Sequence, residues 1–96
     1  VILAQDGILN VTIVLDKSTR SVKAEPVIIA KGFMYEKESD DIIKKVRMMI
    51  NEDMDKYSKS SMNVNELQNL IKKRLRTYLY QETKRNPVVL PIILEI

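Results

Sequence analysis

The sequence predicts an α+β fold: a two-layer sandwich in which two α-helices cover one face of a three-stranded β-sheet, in the order β-β-α-α-β. Three observations carry that prediction. Alternating apolar and polar residues open the chain, two stretches with three- and four-residue apolar spacing fill its middle, and an apolar extended run closes it. A chain of 96 residues is expected to be a single domain over 1–96. It buries only about 60–65% of its unfolded surface, so anything that covers further apolar area matters to its stability.

Leu9, Val11, Ile13 and Leu15 alternate with Asn10, Thr12 and Asp16, which makes Ile8 to Asp16 a half-buried strand. The polar stretch 17–21 suits a turn, and Val22 to Ala30 reads as the returning strand of a hairpin. Pro26 cannot donate a ladder hydrogen bond, so this strand belongs at a sheet edge or carries a bulge. Gly32 ends it, and Phe33, Met34 and Tyr35 turn the chain toward the first helix. There Ser39 is the expected N-cap, with Asp40 and Asp41 in the first turn and Ile42, Val46, Met49, Ile50, Met54 and Tyr57 on one face. Met48, Met49 and Met54 are read as gap fillers on or near that stripe.

Asn63, with Glu66 three residues on, caps a second helix whose apolar stripe is Val64, Leu67, Leu70, Ile71, Leu75, Tyr78 and Leu79. Asn86 and Pro87 stop it. Val88 to Ile96 is the last strand, with Val88, Leu90, Ile92, Leu94 and Ile96 on one face and Val89, Pro91, Ile93 and Glu95 on the other. Pro26 and Pro91 both disfavour a central place for their strands, so the expected strand order is 2-1-3.

The chain contains no His and no Cys, which excludes a disulfide framework, a thiolate nucleophile, an imidazole base and an ordinary transition-metal site in these residues. Gly7 and Gly32 are isolated, so there is no phosphate-cradling loop. The carboxylates Asp40/Asp41 and Glu52/Asp53/Asp55 follow no calcium-loop pattern and read as helix-end charges. No catalytic and no metal-binding residue is expected here. The apolar run Val88 to Leu94 is too short to span a membrane, and no secretory leader opens the chain, so a soluble, cytoplasmic protein is expected.

Two features do point to partners. Two helices cover one face of a three-stranded sheet, and Ile8, Val14, Val27, Ile29, Val89 and Ile93 are expected to point away from the core side chains, onto the opposite face, as an apolar interface. That face would meet a second copy of the chain or the remainder of a larger protein. The charge is also uneven: residues 36–55 hold seven acidic and four basic side chains, and residues 56–85 hold two acidic and eight basic. Lys72, Lys73, Arg76, Lys84 and Arg85 are candidate RNA contacts, with Tyr78 and Tyr80 nearby, although cations toward a helix C-terminus also suit a plain solvated face.

Three segments together carry a resemblance. They are 3–8 leading into 11–17, the stretch 26–35 with its glycine-aromatic turn, and Leu79 to Pro87 (with Thr83-Lys84-Arg85) followed by Leu90 to Ile96. They resemble the C-terminal domain of ribonuclease J, of the metallo-β-lactamase superfamily with a β-CASP insertion. Lys31 stands where much of that family has Arg.

The resemblance implies a bacterial parent enzyme with 5′-to-3′ exoribonuclease and endoribonuclease activity in RNA processing and decay. It also implies zinc held by an upstream catalytic domain absent from these residues. This chain, which starts at Val1, would be the non-catalytic terminal domain that mediates oligomerisation and supports the catalytic core. Its partner would be a second copy or a second ribonuclease J-type subunit, with RNA reached through the parent. The alternative is an autonomous RNA-binding module acting through the basic second helix.

Overall fold

The computed structural model describes residues 6–32 and 36–96, with the backbone alone described for 36–38. The turn expected at Phe33, Met34 and Tyr35 lies outside the described residues. Five elements follow in the expected order: β1 (Ile8–Leu15), β2 (Val27–Lys31), α1 (Glu36–Ser58), α2 (Val64–Thr83) and β3 (Val88–Glu95). The sheet order is β2-β1-β3, with β2 antiparallel and β3 parallel to the central strand. A parallel neighbour cannot be reached by a tight turn. Here β2 and both helices make up the crossover between β1 and β3.

The alternation in β1 fixes the two faces of the sheet. Leu9, Val11, Ile13 and Leu15 are fully buried under the helices and form one cluster with Val46, Ile50, Leu67, Ile71, Leu75 and Leu79. Asn63 caps α2 as expected, its side-chain oxygen accepting from the Glu66 N–H at 2.8 Å. The helix ends at Thr83, before Asn86, because Lys84 turns into the left-handed region and donates its N–H back to the Tyr80 carbonyl.

Three expectations about element ends and faces are corrected. The helix α1 begins at Glu36, so Ser39 lies within the first turn instead of capping it, and Asp40 and Asp41 fall in the second. The returning strand is not continuous from Val22. Val22 pairs with Leu15 as an isolated bridge, and the ladder resumes only at Val27. Residues 23–26 there lie opposite only residues 13–14, so Pro26 sits in a bulge, at the edge of the sheet. Met48 is 56% exposed and off the core stripe, while Met49 and Met54 lie on it.

The turn after β1 is built on Asp16, whose carboxylate accepts from the Ser18 hydroxyl at 2.7 Å and from the Ser18 and Thr19 N–H groups. The Ser18 hydroxyl bond, with the two N–H bonds, holds the Asp16 carboxyl below its ordinary value. The next residue but three, Arg20, has φ 59° and reaches across to the α1–α2 junction. Its Nη2 donates to the carbonyls of Tyr57, Ser60 and Met62 at 3.0, 3.1 and 2.7 Å, and the guanidinium lies 3.9 Å from the Tyr57 ring centroid. Two protons serve three acceptors, so at least one is shared. Carbonyls in and just after the last turn of α1 thus find a cationic partner in the hairpin turn.

At the other end of β1, Gly7 has φ +91° and passes against β2: an added Cβ would stand 2.3 Å from the Lys31 carbonyl oxygen. Gly7→Ala is expected to destabilise the chain by about 2 kcal/mol or more, read from urea unfolding. The Asp16 turn gives a pH signature. A depressed carboxyl contributes stability above its unfolded value, near 3.8, that is lost as pH falls through the folded value. Asp16→Asn keeps the acceptor without the titration, so its thermal midpoint should fall less steeply than the wild type's below pH 3.8.

Candidate functional site

With one sheet face under the helices, the other is left open, and its composition follows from register. Leu9 pairs with Val89 and with Ala30, so both share its helix-covered face; Asn10 pairs with Leu90 and Ile29, which share the open face. The open face therefore carries Val27, Ile29 and Lys31 of β2, Ile8, Asn10, Thr12 and Val14 of β1, and Val88, Leu90, Ile92 and Leu94 of β3, with Ile96 continuing the row. Of the large apolar residues exposed among the described ones, only Met48 and Tyr80 lie elsewhere.

Of the six residues expected on the open face, four lie there and two lie under the helices. Ile8 and Val14 are half-buried on the open face, and Val27 and Ile29 are 56% and 50% exposed there. Val89 is only 1% exposed, inside the core cluster, and Ile93 packs against that cluster. The residues of β3 that do face outward are Val88, Leu90, Ile92, Leu94 and Ile96. Because β3 is apolar at both alternations, its own pattern does not reveal which face is inward; pairing with β1 decides.

The edge of β3 is guarded. Val88 and Ile96 point their N–H groups at the Gly7 and Leu15 carbonyls, so the N–H groups at odd-numbered positions point away from β1. Pro91 occupies one of those positions and removes a donor from the free edge. That spares the ladder and discourages another strand from pairing there.

On the helix layer, the five RNA-contact candidates Lys72, Lys73, Arg76, Lys84 and Arg85 are all exposed. Among the described residues none of them forms an ion pair. Lys73 and Arg76 line one depression of about 370 Å³ with Thr77, Tyr80, Gln81 and Asn86. The Lys84 ammonium lies 5.7 Å from the Tyr80 ring centroid. Lys72 and Arg85 do not line this depression. Tyr78 packs against the core as its place on the stripe predicts. Its burial pushes the phenol above its usual value, and the Glu82 and Asp41 carboxylates add to that.

Arg74, in the midst of the basic run, behaves differently. Its guanidinium bonds Asp53 and, at 3.1 Å, Glu52 of α1, tying the two helices together. Asp53 is 1% exposed. Burial raises its carboxyl above the ordinary aspartate value, and the hydrogen bond and charge of Arg74 pull against that rise. Burial disfavours the Arg74 charge too, but bonds to Glu52 and Asp53 outweigh it and hold its pKa above the usual one.

This pair replaces the reading of Asp53 as a helix-end charge. The signal was present: Asp53 falls on the α1 stripe between Ile50 and Tyr57, and a carboxylate there needs a cation. The zinc implied for the parent finds no fit in this chain. Histidine and cysteine are missing, and the one buried carboxylate among the described residues, Asp53, is already engaged by Arg74.

A two-layer α+β module with one sheet face covered, an open apolar face opposite and a basic outer helix is the class of protein these features define. Comparison gives the family. The ribonuclease J C-terminal domain model matches residues 1–96. Ribonuclease J2 of Bacillus subtilis strain 168 is 34% identical over 96 residues, covering 99% of this chain and 17% of the relative. Ribonuclease J 2 of Staphylococcus epidermidis strain RP62A is 31% identical over 99 residues, and that of Streptococcus pyogenes serotype M3 29% over 96, each with the same two coverages. The chain belongs to the ribonuclease J C-terminal domain family, and it spans 17% of the length of these relatives.

Removing Arg74 strands a buried carboxylate. Arg74→Met is expected to cost about 2–3 kcal/mol in urea unfolding, below the value for a fully enclosed pair because the arginine is partly exposed. The double substitution Asp53→Leu/Arg74→Met should recover most of that loss.

Proposed function

We propose that this chain is the assembly domain of a ribonuclease J-type enzyme, and that its open sheet face packs against the same face of another such subunit. The observation that carries this reading is the concentration of exposed apolar side chains on that face: Val27, Ile29, Leu90, Ile92 and Leu94 are each between 41% and 56% exposed. Two such apolar rows on one sheet face are favourable to cover.

The chemistry of the face favours a like partner. Apolar rows from β2 and β3 flank a polar centre at Asn10 and Thr12, whose side chains bond each other at 3.3 Å. Lys31 is its single charged residue in a strand. Such a face is self-complementary under a two-fold axis. Face-to-face packing is favoured over strand addition at β3, since Pro91 blunts that edge.

In this reading the domain does no bond chemistry. It fixes the relative positions of the parent's catalytic cores, where zinc and the ribonuclease activity would reside, and it does its work in the cytoplasm on RNA processing and decay. The names of the relatives support the parent activity, and the sheet supports the assembly.

Sedimentation velocity over a wide concentration range tests it. The wild-type chain should associate reversibly, and Ile92→Lys/Leu94→Lys should stay monomeric with an unchanged thermal midpoint. A wild type that is monomeric throughout, or a double variant that still associates, would overturn the proposal.

A further inference from the structure

We propose that the outer face of α2 holds a single-stranded nucleic-acid segment, with its phosphates on Lys73 and Arg76 and its bases set to either side of them. The argument starts from two adjoining depressions. One, of about 500 Å³, lies between the helices over Met49, Leu70 and Tyr78, with Lys45 and Lys73 among its lining. The second is the depression of about 370 Å³ beside Tyr80. Lys73, Thr77 and Gln81 line both. These three are spaced four apart and form one row along the helix, so they stand as a shared ridge with one depression on either side.

Across that ridge the surface alternates in character. An apolar floor at Met49, Leu70 and Tyr78 comes first, then the unpaired cations Lys73 and Arg76, then the Tyr80 ring, 47% exposed, with Lys84 beside it. A polynucleotide strand has the same alternation: flat base, phosphate, flat base. The amides of Gln81 and Asn86 can donate to and accept from base edges. An acidic peptide offers charge but no flat apolar group to fill the two seats, and a duplex keeps its bases stacked away from them.

The acids nearby set the direction. Glu82 and Asp41 act on Tyr78 and would repel phosphate, so the backbone runs on the Lys73 and Arg76 side with the bases toward the floor. Arg74 takes no part, being held by Asp53 and Glu52. Both depressions lie on the helix layer, opposite the open sheet face, and nucleic-acid contact there does not depend on assembly.

Fluorescence anisotropy of the chain with a short 5′-labelled oligouridine RNA, over a series of KCl concentrations, tests this. With Lys45 and Lys84 beside Lys73 and Arg76, about four phosphate contacts give a slope of log K against log salt of about −3. Lys73→Ala/Arg76→Ala places good helix formers at exposed sites, so the fold persists. It should halve the slope to about −1.5 and weaken binding about tenfold or more. Tyr80→Leu should weaken binding about tenfold with the slope unchanged.

DNA of the same sequence should bind through the same phosphate contacts. The sheet variant Ile92→Lys/Leu94→Lys should bind RNA as the wild type does, which separates this outcome from the fate of the assembly proposal. Binding that is absent at low salt, or unaltered in Lys73→Ala/Arg76→Ala, overturns the inference. So does a duplex that binds as tightly as the single strand, or a polyglutamate peptide that competes as well as RNA.

Discussion

The alternation of side chains along β1 is the constraint on which the remaining architecture depends. As the central strand it is paired on both edges, and its odd-numbered residues Leu9, Val11, Ile13 and Leu15 are each no more than 1% exposed. Pairing transmits that assignment sideways. Ile28 and Ala30 on one side and Val89 on the other are drawn under the helices because they are level with β1 residues already there. A slip of one residue in either ladder would exchange the faces of a whole strand. The same constraint leaves Ile29, Leu90, Ile92 and Leu94 outside, so the covered core and the uncovered face have a single cause.

Polar contacts between distant segments hold the two layers in place. Arg20 joins the hairpin turn to the junction between the helices; Arg47 reaches from α1 to the Pro26 carbonyl at 2.7 Å, across the bulge that interrupts the hairpin. Arg74 joins the helices to each other through Asp53 and Glu52. Arg20 gathers three carbonyls on one nitrogen and Arg47 takes one carbonyl, while Arg74 spans two carboxylates with its two terminal nitrogens, a task for which the compact lysine ammonium is less suited. The cations left over, on the outer side of α2, are thereby distinguished from the structural ones: lysines and one arginine without carboxylate partners. The proposed assembly through the sheet and the proposed nucleic-acid contact through α2 would use opposite layers, so neither need obstruct the other.

Much of this was legible from the residues alone, and the exceptions have physical causes. Element order, strand order and the Asn63 cap follow from local signals: alternation, three- and four-residue spacing, and prolines that avoid the sheet centre. The inward face of β3 was not legible, because Val88 to Leu94 is apolar at every position except Pro91 and only its pairing with β1 breaks the tie. Nor was the Arg20 clamp, whose acceptors lie between 37 and 42 residues away. The Asp53–Arg74 pair stands between these cases, since a carboxylate on an apolar stripe calls for a partner without saying which. The basic group at 72–85 was found as a run of charge, yet its division into engaged Arg74 and unpaired neighbours required the packing of α1.

The central claim is that the open sheet face meets its like. Intermolecular methyl contacts in a mixed sample, one copy isotope-labelled and one not, test it most directly. Cross-peaks linking the methyl groups of Ile29, Leu90, Ile92 and Leu94 of one copy to those of another are the predicted result. Cross-peaks confined to α2 residues such as Leu70, or to the free edge of β3 at Ile93, with the open-face methyls contacting only their own chain, would contradict it.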